Sequence, residues 1–224
     1  NEIAQSTCAH EGDTFVKYWL HNGFVNVAHE KMSKSIGNVL LVHDLLKDAP
    51  GEAIRLALLN AHYRQPLDWT DDGLAQAKRM LDRLYGALRG LADIDPAGDA
   101  APDPEFLAAL NDDLNTPKAL ATLFDLSRQA NSATDPEEKS RLKGVLLASS
   151  HLMGMLQQDT EAWFAGGDME QDGLSADQID DLIDARNIAR AEKNFAEADR
   201  IRDELAGQGI TLEDGADGTK WRRG

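Results

Sequence analysis

The segment Lys31-Met32-Ser33-Lys34-Ser35 sets two lysines around a serine in a run of small and polar residues that closes on Gly37. Such composition favours a loop over a regular element. Two ammonium groups on a mobile loop suit chemistry in which a polyphosphate is gripped only while it reacts. Laid against the phosphates of ATP as charge shifts towards pyrophosphate, Lys31 and Lys34 would stabilise the transition state more than the bound substrate and so raise the rate. A solvated surface loop is the plain alternative, because five-residue matches arise by chance, and the pentapeptide alone leaves both readings open.

Other candidates carry less. Asp112 and Asp113 could pass for metal ligands, but they precede Asn115-Thr116-Pro117, and capping of the following helix explains them. The histidines at 10, 21, 29, 43, 62 and 151 show no metal-ligand spacing. Cys8 is the sole cysteine, which excludes a disulfide within the chain or a thiolate cage built from it alone. Between Thr7 and Ala9 it reads as a small buried hydrophobe. The formal charge of −16, from 23 basic and 39 acidic residues, weighs against a nucleic-acid partner, since affinity for phosphate comes chiefly from Lys and Arg. Binding depends on where the basic residues cluster, however, and Lys220-Trp221-Arg222-Arg223 is a basic, aromatic tip on an acidic body. The longest apolar runs, such as Val39-Leu40-Leu41-Val42, fall far short of the roughly 20 residues needed to cross a bilayer. The expected setting is the cytoplasm, with no membrane partner.

The elements that must position these residues are mostly helical. Asn1-Glu2-Ile3-Ala4-Gln5 reads as the interior of a helix met midway, so the chain is expected to be part of a longer polypeptide. Two aromatic and β-branched runs, 15–20 and 24–27, flank Asn22-Gly23 and predict a β-hairpin that delivers the chain to Glu30. Pro50 sits at a first-turn position, and Ala53, Leu56, Ala57 and Leu59 predict a helix up to Tyr63, stopped by Pro66. Thr70 with Asp71 and Asp72 is a helix start, and Leu74, Ala77, Leu81, Leu84, Tyr85 and Leu88 recur at helical spacing. Residues 93–104, rich in Pro, Gly, Ala and Asp, predict a linker or exposed loop. Further helices are expected at 105–110, from a Thr116 cap to Ala130, and from Pro136 to Leu156, forming an antiparallel bundle. A composition shift at 166–173 marks a boundary. Beyond it lie a helical hairpin, 175–193 and 196–208, ended by Gly209, and a short β-hairpin over 210–214 and 218–222.

Taken together, the run from Asn1 to Ser6, the Lys31 to Ser35 loop, Ala61-His62-Tyr63-Arg64, Asn115-Thr116-Pro117, Leu212-Glu213-Asp214 and Trp221-Arg222-Arg223 resemble the cysteinyl-tRNA synthetases over nearly the whole chain. The lysine–serine loop alone fits any class I aminoacyl-tRNA synthetase; the order and spacing of the others narrow it. The resemblance implies activation of cysteine by ATP, with magnesium, to an adenylate, then transfer to the terminal adenosine of the cysteine tRNA. It makes Lys31 and Lys34 catalytic and Lys31, Met32, Ser33, Lys34 and Ser35 the ATP-binding loop. It also implies a zinc ion that takes the substrate thiolate and so rejects the serine hydroxyl. Glu2 falls at the glutamate of the family's His-His-Glu-Asn-Glu run and becomes a zinc ligand, whereas by itself it is an ordinary helix-start acid. A catalytic zinc needs about three protein ligands, so the others, with the family's His-Ile-Gly-His type motif, are expected upstream, and this segment alone is expected to be inactive. Anticodon bases can be stacked on aromatic or guanidinium planes and hydrogen-bonded along their edges. The resemblance assigns those roles to Arg190, Phe195, Asp199, Asp214 and Trp221, while periodicity alone reads Asp199 and Arg202 as a surface ion pair.

The expected fold is mainly α. Residues 1–48 form the carboxy-terminal end of a class I catalytic fold with a β-hairpin and the lysine–serine loop. Residues 49–165 form a helical bundle that would lie against the tRNA stem, and 166–224 a small α+β anticodon-binding module. One rival is a non-catalytic tRNA-binding protein, which would have no use for a pyrophosphate clamp. Another is the related ligase that joins cysteine to an amino sugar in mycothiol synthesis, which should lack the anticodon module and its Trp221-Arg222-Arg223 ending.

Overall fold

The computed structural model describes residues 1–10, 15–27, 30–33, 35–166, 174–215 and 218–223. Helix α1 (Glu2–Ala9) buries none of its residues. Cys8 on it is therefore exposed, not the small buried side chain its neighbours suggest.

A three-stranded sheet follows, from β1 (Val25–Val27), β2 (Glu30–Lys31) and β3 (Leu67–Trp69), in the order β2-β1-β3. β1 pairs antiparallel with β2, and parallel with β3 in the register Val25↔Leu67. The hairpin expected around Asn22-Gly23 does not form, because residues 15–20 carry no strand. The Gly23 N–H instead donates to the Tyr63 carbonyl at 2.7 Å, and a side chain at 23 would collide with the Gln65 carbonyl. This glycine admits a close backbone approach and makes no turn.

Two helices, α2 (Val42–Leu45) and α3 (Gly51–Leu59), lead into the bundle. The Pro50 carbonyl opens α3 by accepting from Ala53 and Ile54 at 2.9 and 3.2 Å. α3 stops at Leu59, short of the expected Tyr63. Thr70 caps α4 (Asp71–Arg89), its hydroxyl accepting from the Gly73 N–H at 3.0 Å. Next come α5 (Pro104–Asn111), α6 (Thr116–Ser132), α7 (Pro136–Leu152) and a short, unanticipated α8 (Thr160–Phe164). The α6 cap is Asn115, which accepts from the Lys118 N–H at 3.2 Å, and Thr116 is already inside the helix. Asp159 caps α8, at 2.9 and 3.0 Å to two backbone N–H groups. The helices close over a contiguous core that includes Leu56, Leu81, Leu84, Tyr85, Phe106, Leu120, Leu123, Leu142 and Leu146. Residues 91–103 are irregular but pinned to α7: Lys143 Nζ donates to the Leu91 and Ile94 carbonyls at 2.9 and 2.7 Å, and the Ser140 hydroxyl to the Asp95 carbonyl at 2.7 Å.

One buried carboxylate joins α3, α4 and the segment before α8. Glu52 accepts from the Tyr85 hydroxyl at 3.0 Å, from the Leu156 N–H at 2.9 Å and from the Gln157 N–H at 3.0 Å. The Gln158 N–H donates to the Tyr85 oxygen at 3.1 Å, and the Tyr85 ring stacks on Trp163 at 4.4 Å.

Of the expected boundary at 166–173, residues 167–173 lie outside the described residues. Beyond it α9 (Ala176–Ala191) and α10 (Phe195–Gly207) form a helical hairpin, and β4 (Ile210–Gly215) pairs antiparallel with β5 (Gly218–Arg223). Ser175 and Gln178 make a reciprocal capping box at the start of α9, a pattern that satisfies two helix-start N–H groups at once. Gly209 turns the chain from α10 into β4 with φ +75°, a left-handed conformation that glycine adopts without strain. Ile179, Ile183, Ile201, Leu205 and Ile210 form a second core, with Trp221 packed against it. This module meets the bundle at Arg89, whose guanidinium pairs with Glu161 at 2.8 Å and lies 3.9 Å from Glu213 of β4. Among the described residues no helix is long and apolar enough to cross a membrane.

Candidate functional site

The lysine–serine segment leaves the edge of the small sheet. Lys31 ends β2, and its ammonium lies 3.9 Å from the centroid of the Phe24 ring. Met32 N–H donates to the Val25 carbonyl at 3.1 Å, which ties the loop's first residue to β1. The Ser33 and Ser35 hydroxyls are 3.2 Å apart. The Gly37 N–H donates to the Ser33 carbonyl at 3.2 Å, with φ +77° at the glycine. Lys34 lies outside the described residues. Sequence reasoning missed Asn38. Its amide accepts from the Ser33 N–H at 2.8 Å and donates to the Lys31 carbonyl at 3.4 Å, so one side chain closes the loop's base. Its only prior signal was an amide side chain directly after the loop glycine.

A second cluster brings together residues far apart in sequence. The Asp214 carboxylate receives a two-pronged donation from Arg186 at 2.9 and 2.8 Å, one bond from Arg190 at 3.1 Å and one from the Thr219 hydroxyl at 2.7 Å. The Arg186 guanidinium, then Thr219, hold this carboxyl well below the usual carboxylate range. Arg186, buried in α9, was not among the expected residues. Its position at helical spacing from Arg190 was the available signal. Of the residues that the resemblance assigned to the anticodon, Arg190 and Asp214 are brought into contact. Asp199 instead pairs with Arg202 at 3.0 Å, Phe195 stands 63% exposed at the start of α10, and the Trp221 indole donates to Asp180 at 2.8 Å.

Asp113 does not cap α6. It sits between α5 and α6 with φ +54°, followed by Leu114 at φ +53°. Its carboxylate accepts from the Tyr63 hydroxyl at 2.6 Å and from Arg64 at 2.6 and 3.0 Å, with the His62 ring 3.9 Å away. Arg64, then Tyr63, lower its pKa to about 2.

Glu2 is exposed on α1. The described residues contain no group of three or more His, Cys, Asp or Glu placed to hold a metal. Since a zinc site needs about three protein ligands, these residues by themselves do not fit a zinc ion.

Three family models cover most of this architecture. The tRNA synthetases class I (C) catalytic domain matches residues 1–79, which places the lysine–serine loop in a class I tRNA synthetase. The DALR domain matches 105–157, and the cysteinyl-tRNA ligase anticodon binding domain matches 172–222. The chain is 62% identical to the cysteine-tRNA ligase of Parvibaculum lavamentivorans, over 99% of its own length and 47% of the relative's. It is 60% identical to that of Paramagnetospirillum magneticum and 56% to that of Rhodospirillum rubrum, over its full length and 49% and 48% of theirs. The chain belongs to the cysteine-tRNA ligase family and spans about half the length of the curated relatives it matches.

Proposed function

We propose that the chain supplies the phosphate-gripping loop and the tRNA-reading part of a cytoplasmic enzyme that activates cysteine with ATP and passes the cysteinyl group to its tRNA. The observation that carries this reading is the joint presence, in one chain, of the Lys31 loop and the anticodon-binding match at 172–222. Lys31 and Lys34 lie against the ATP phosphates as negative charge moves to the departing pyrophosphate, so their contribution appears in the rate. Met32, Ser33 and Ser35 frame that contact, and Asn38 holds the loop's two ends together. ATP enters as its magnesium complex. Glu2 contributes at most one ligand to a zinc site completed outside these residues, and no step is assigned to the metal.

At the other end, the exposed Phe195 ring offers a stacking platform for an anticodon base. Arg190 presents a guanidinium edge oriented by the Asp214 carboxylate, whose ionised form is stabilised by Arg186. Asp199 offers a further acceptor, and Trp221, tied to Asp180, shapes the surface around them. Residues 1–224 alone are expected to be inactive.

The test is aminoacylation by the protein at its natural length, with cysteine and with serine, at fixed salt because electrostatic attraction alone does not read sequence. Cysteine should be joined to its tRNA and serine should not. Replacing an anticodon base should lower kcat/KM by about tenfold or more, the effect of one lost stacking contact. Equal charging whatever the anticodon would remove the anticodon assignment; no charging with cysteine would remove the reading altogether.

A further inference from the structure

Asp113 has no local duty. Asn115 caps α6, yet the chain holds both Asp113 and Leu114 at positive φ. Residues other than glycine keep such a conformation only where the surroundings over-determine it, which points from the strained residues to a role. The surroundings are residues 62–64, about fifty positions earlier in the chain. Tyr63 and Arg64 give Asp113 three hydrogen bonds, two of them a fork from one guanidinium, a geometry that fixes direction as well as distance.

The held segment lies against the residues that lead into β1, the strand paired with the loop-bearing β2. The Tyr63 carbonyl accepts from the Gly23 N–H at 2.7 Å, and the Phe24 carbonyl accepts from the Leu67 N–H at 2.9 Å. Phe24 carries the Lys31 ammonium on its ring, and Val25 holds Met32. From the corner between α5 and α6 to the loop, the links are therefore Asp113, Tyr63 with Arg64, Gly23 with Phe24, and Lys31. The links are a guanidinium fork and a phenol hydrogen bond at Asp113, backbone hydrogen bonds at Gly23 and Phe24, and the ring contact of Lys31, so a shift at Asp113 has a continuous path to the residues that lead into β1.

We propose that Asp113, acting through Tyr63 and Arg64, is a positioning residue that sets the Lys31 loop for the ATP-consuming step. It thereby couples the helical bundle to the rate of activation. This rests on the reading of Lys31 as a phosphate contact given above.

The test uses the natural-length protein and its Asp113→Asn, Asp113→Ala and Arg64→Lys variants, in cysteine-dependent exchange of pyrophosphate into ATP, with active sites titrated. Asp113→Asn keeps the shape and one acceptor oxygen, so it serves even if Asp113→Ala fails to fold. A misplacement of a reacting group on the order of 1 Å can cost roughly a hundredfold, so Asp113→Asn should lower the exchange kcat by about tenfold or more. KM for ATP and KM for cysteine should move less than about twofold, the pattern of an interaction realised only in the transition state. Arg64→Lys, which keeps the charge but not the fork, should fall between wild type and Asp113→Asn. A merely structural pair would lower the titrated fraction and the melting temperature while leaving kcat per active site unchanged, and that result overturns the proposal. If the wild-type protein shows no cysteine-dependent exchange, the functional reading itself has failed. Normal exchange in Asp113→Asn with an active wild type defeats the positioning role alone.

Discussion

Two carboxylates each gather donors from distant parts of the chain, and their surroundings differ. Glu52 is 5% exposed and takes neutral donors: one phenol and two backbone N–H groups. The side chain of Asp214 is 44% exposed and takes two guanidiniums and a hydroxyl. A buried polar cluster is costly when any member is removed, because the partners left behind stay desolvated. A half-exposed one is relieved by water, so its removal costs little stability but rearranges charge at the surface. Glu52 therefore belongs to the architecture that joins α3, α4 and the segment before α8, while Asp214 belongs to a surface a ligand can reach.

Breaking the buried cluster should produce the largest effect. Glu52→Ala strands the Leu156 and Gln157 N–H groups and the Tyr85 hydroxyl, at about 1–3 kcal/mol for each unsatisfied group. Denaturant unfolding should show a loss of about 3 kcal/mol or more. Tyr85→Phe removes the bond to Glu52 and the acceptor for Gln158 while keeping the ring stacked on Trp163. It should cost about 1–2 kcal/mol. If either change were as mild as a surface substitution, the distinction between the two carboxylates would collapse.

Neither cluster was legible locally, and the reason is the same for both. The helices could be read because their information is short-range: Thr70 precedes an apolar repeat, and Gly209 follows α10. The terminal hairpin could be read from its alternating residues. What failed depended on contacts across the chain. Gly23 looked like a turn residue, but its lack of a side chain serves a segment about forty residues later. Asp113 looked like a cap, but its partners lie at 63 and 64. α8 is five residues long, too short for periodicity to show, and depends on packing of Trp163 and Phe164 into the main core. In the candidate sites, the Lys31 loop and the residues Arg190 and Asp214 were named through resemblance, while the contact between Arg190 and Asp214, and the parts played by Asn38 and Arg186, emerged only once the chain was folded around them.

Asp214→Asn sharpens the contrast through pH. The folded pKa is depressed, so the carboxylate's contribution to stability is fully present above its unfolded value of roughly 3.9 and is lost as pH falls through the folded value. Wild type should exceed Asp214→Asn by at most about 1 kcal/mol, since the group is half exposed. That gap should stay constant from about pH 5 to pH 8 and close progressively below about pH 4, as acid unfolding monitored by circular dichroism would show. A gap that instead opened on acidification would mean that Arg186 and Arg190 do not favour the ionised form.

The smallest effect on stability should come from Asp199→Asn, which loses only an exposed pair with Arg202 one helical turn away, worth a few tenths of a kcal/mol. That makes it the cleanest probe of function, because any loss of tRNA charging cannot be attributed to unfolding. The pair leaves acceptor capacity free on the Asp199 carboxylate, since an ionised carboxylate has about four lone-pair sites. If an anticodon base donates to one of them, Asp199→Asn should leave the melting temperature within about 1 °C of wild type while raising KM for the tRNA. The rise should shrink when the anticodon base is replaced. An unchanged KM would return Asp199 to the role its spacing alone suggests, a surface ion pair on α10, and would place base recognition on Phe195 and on Arg190 as oriented by Asp214.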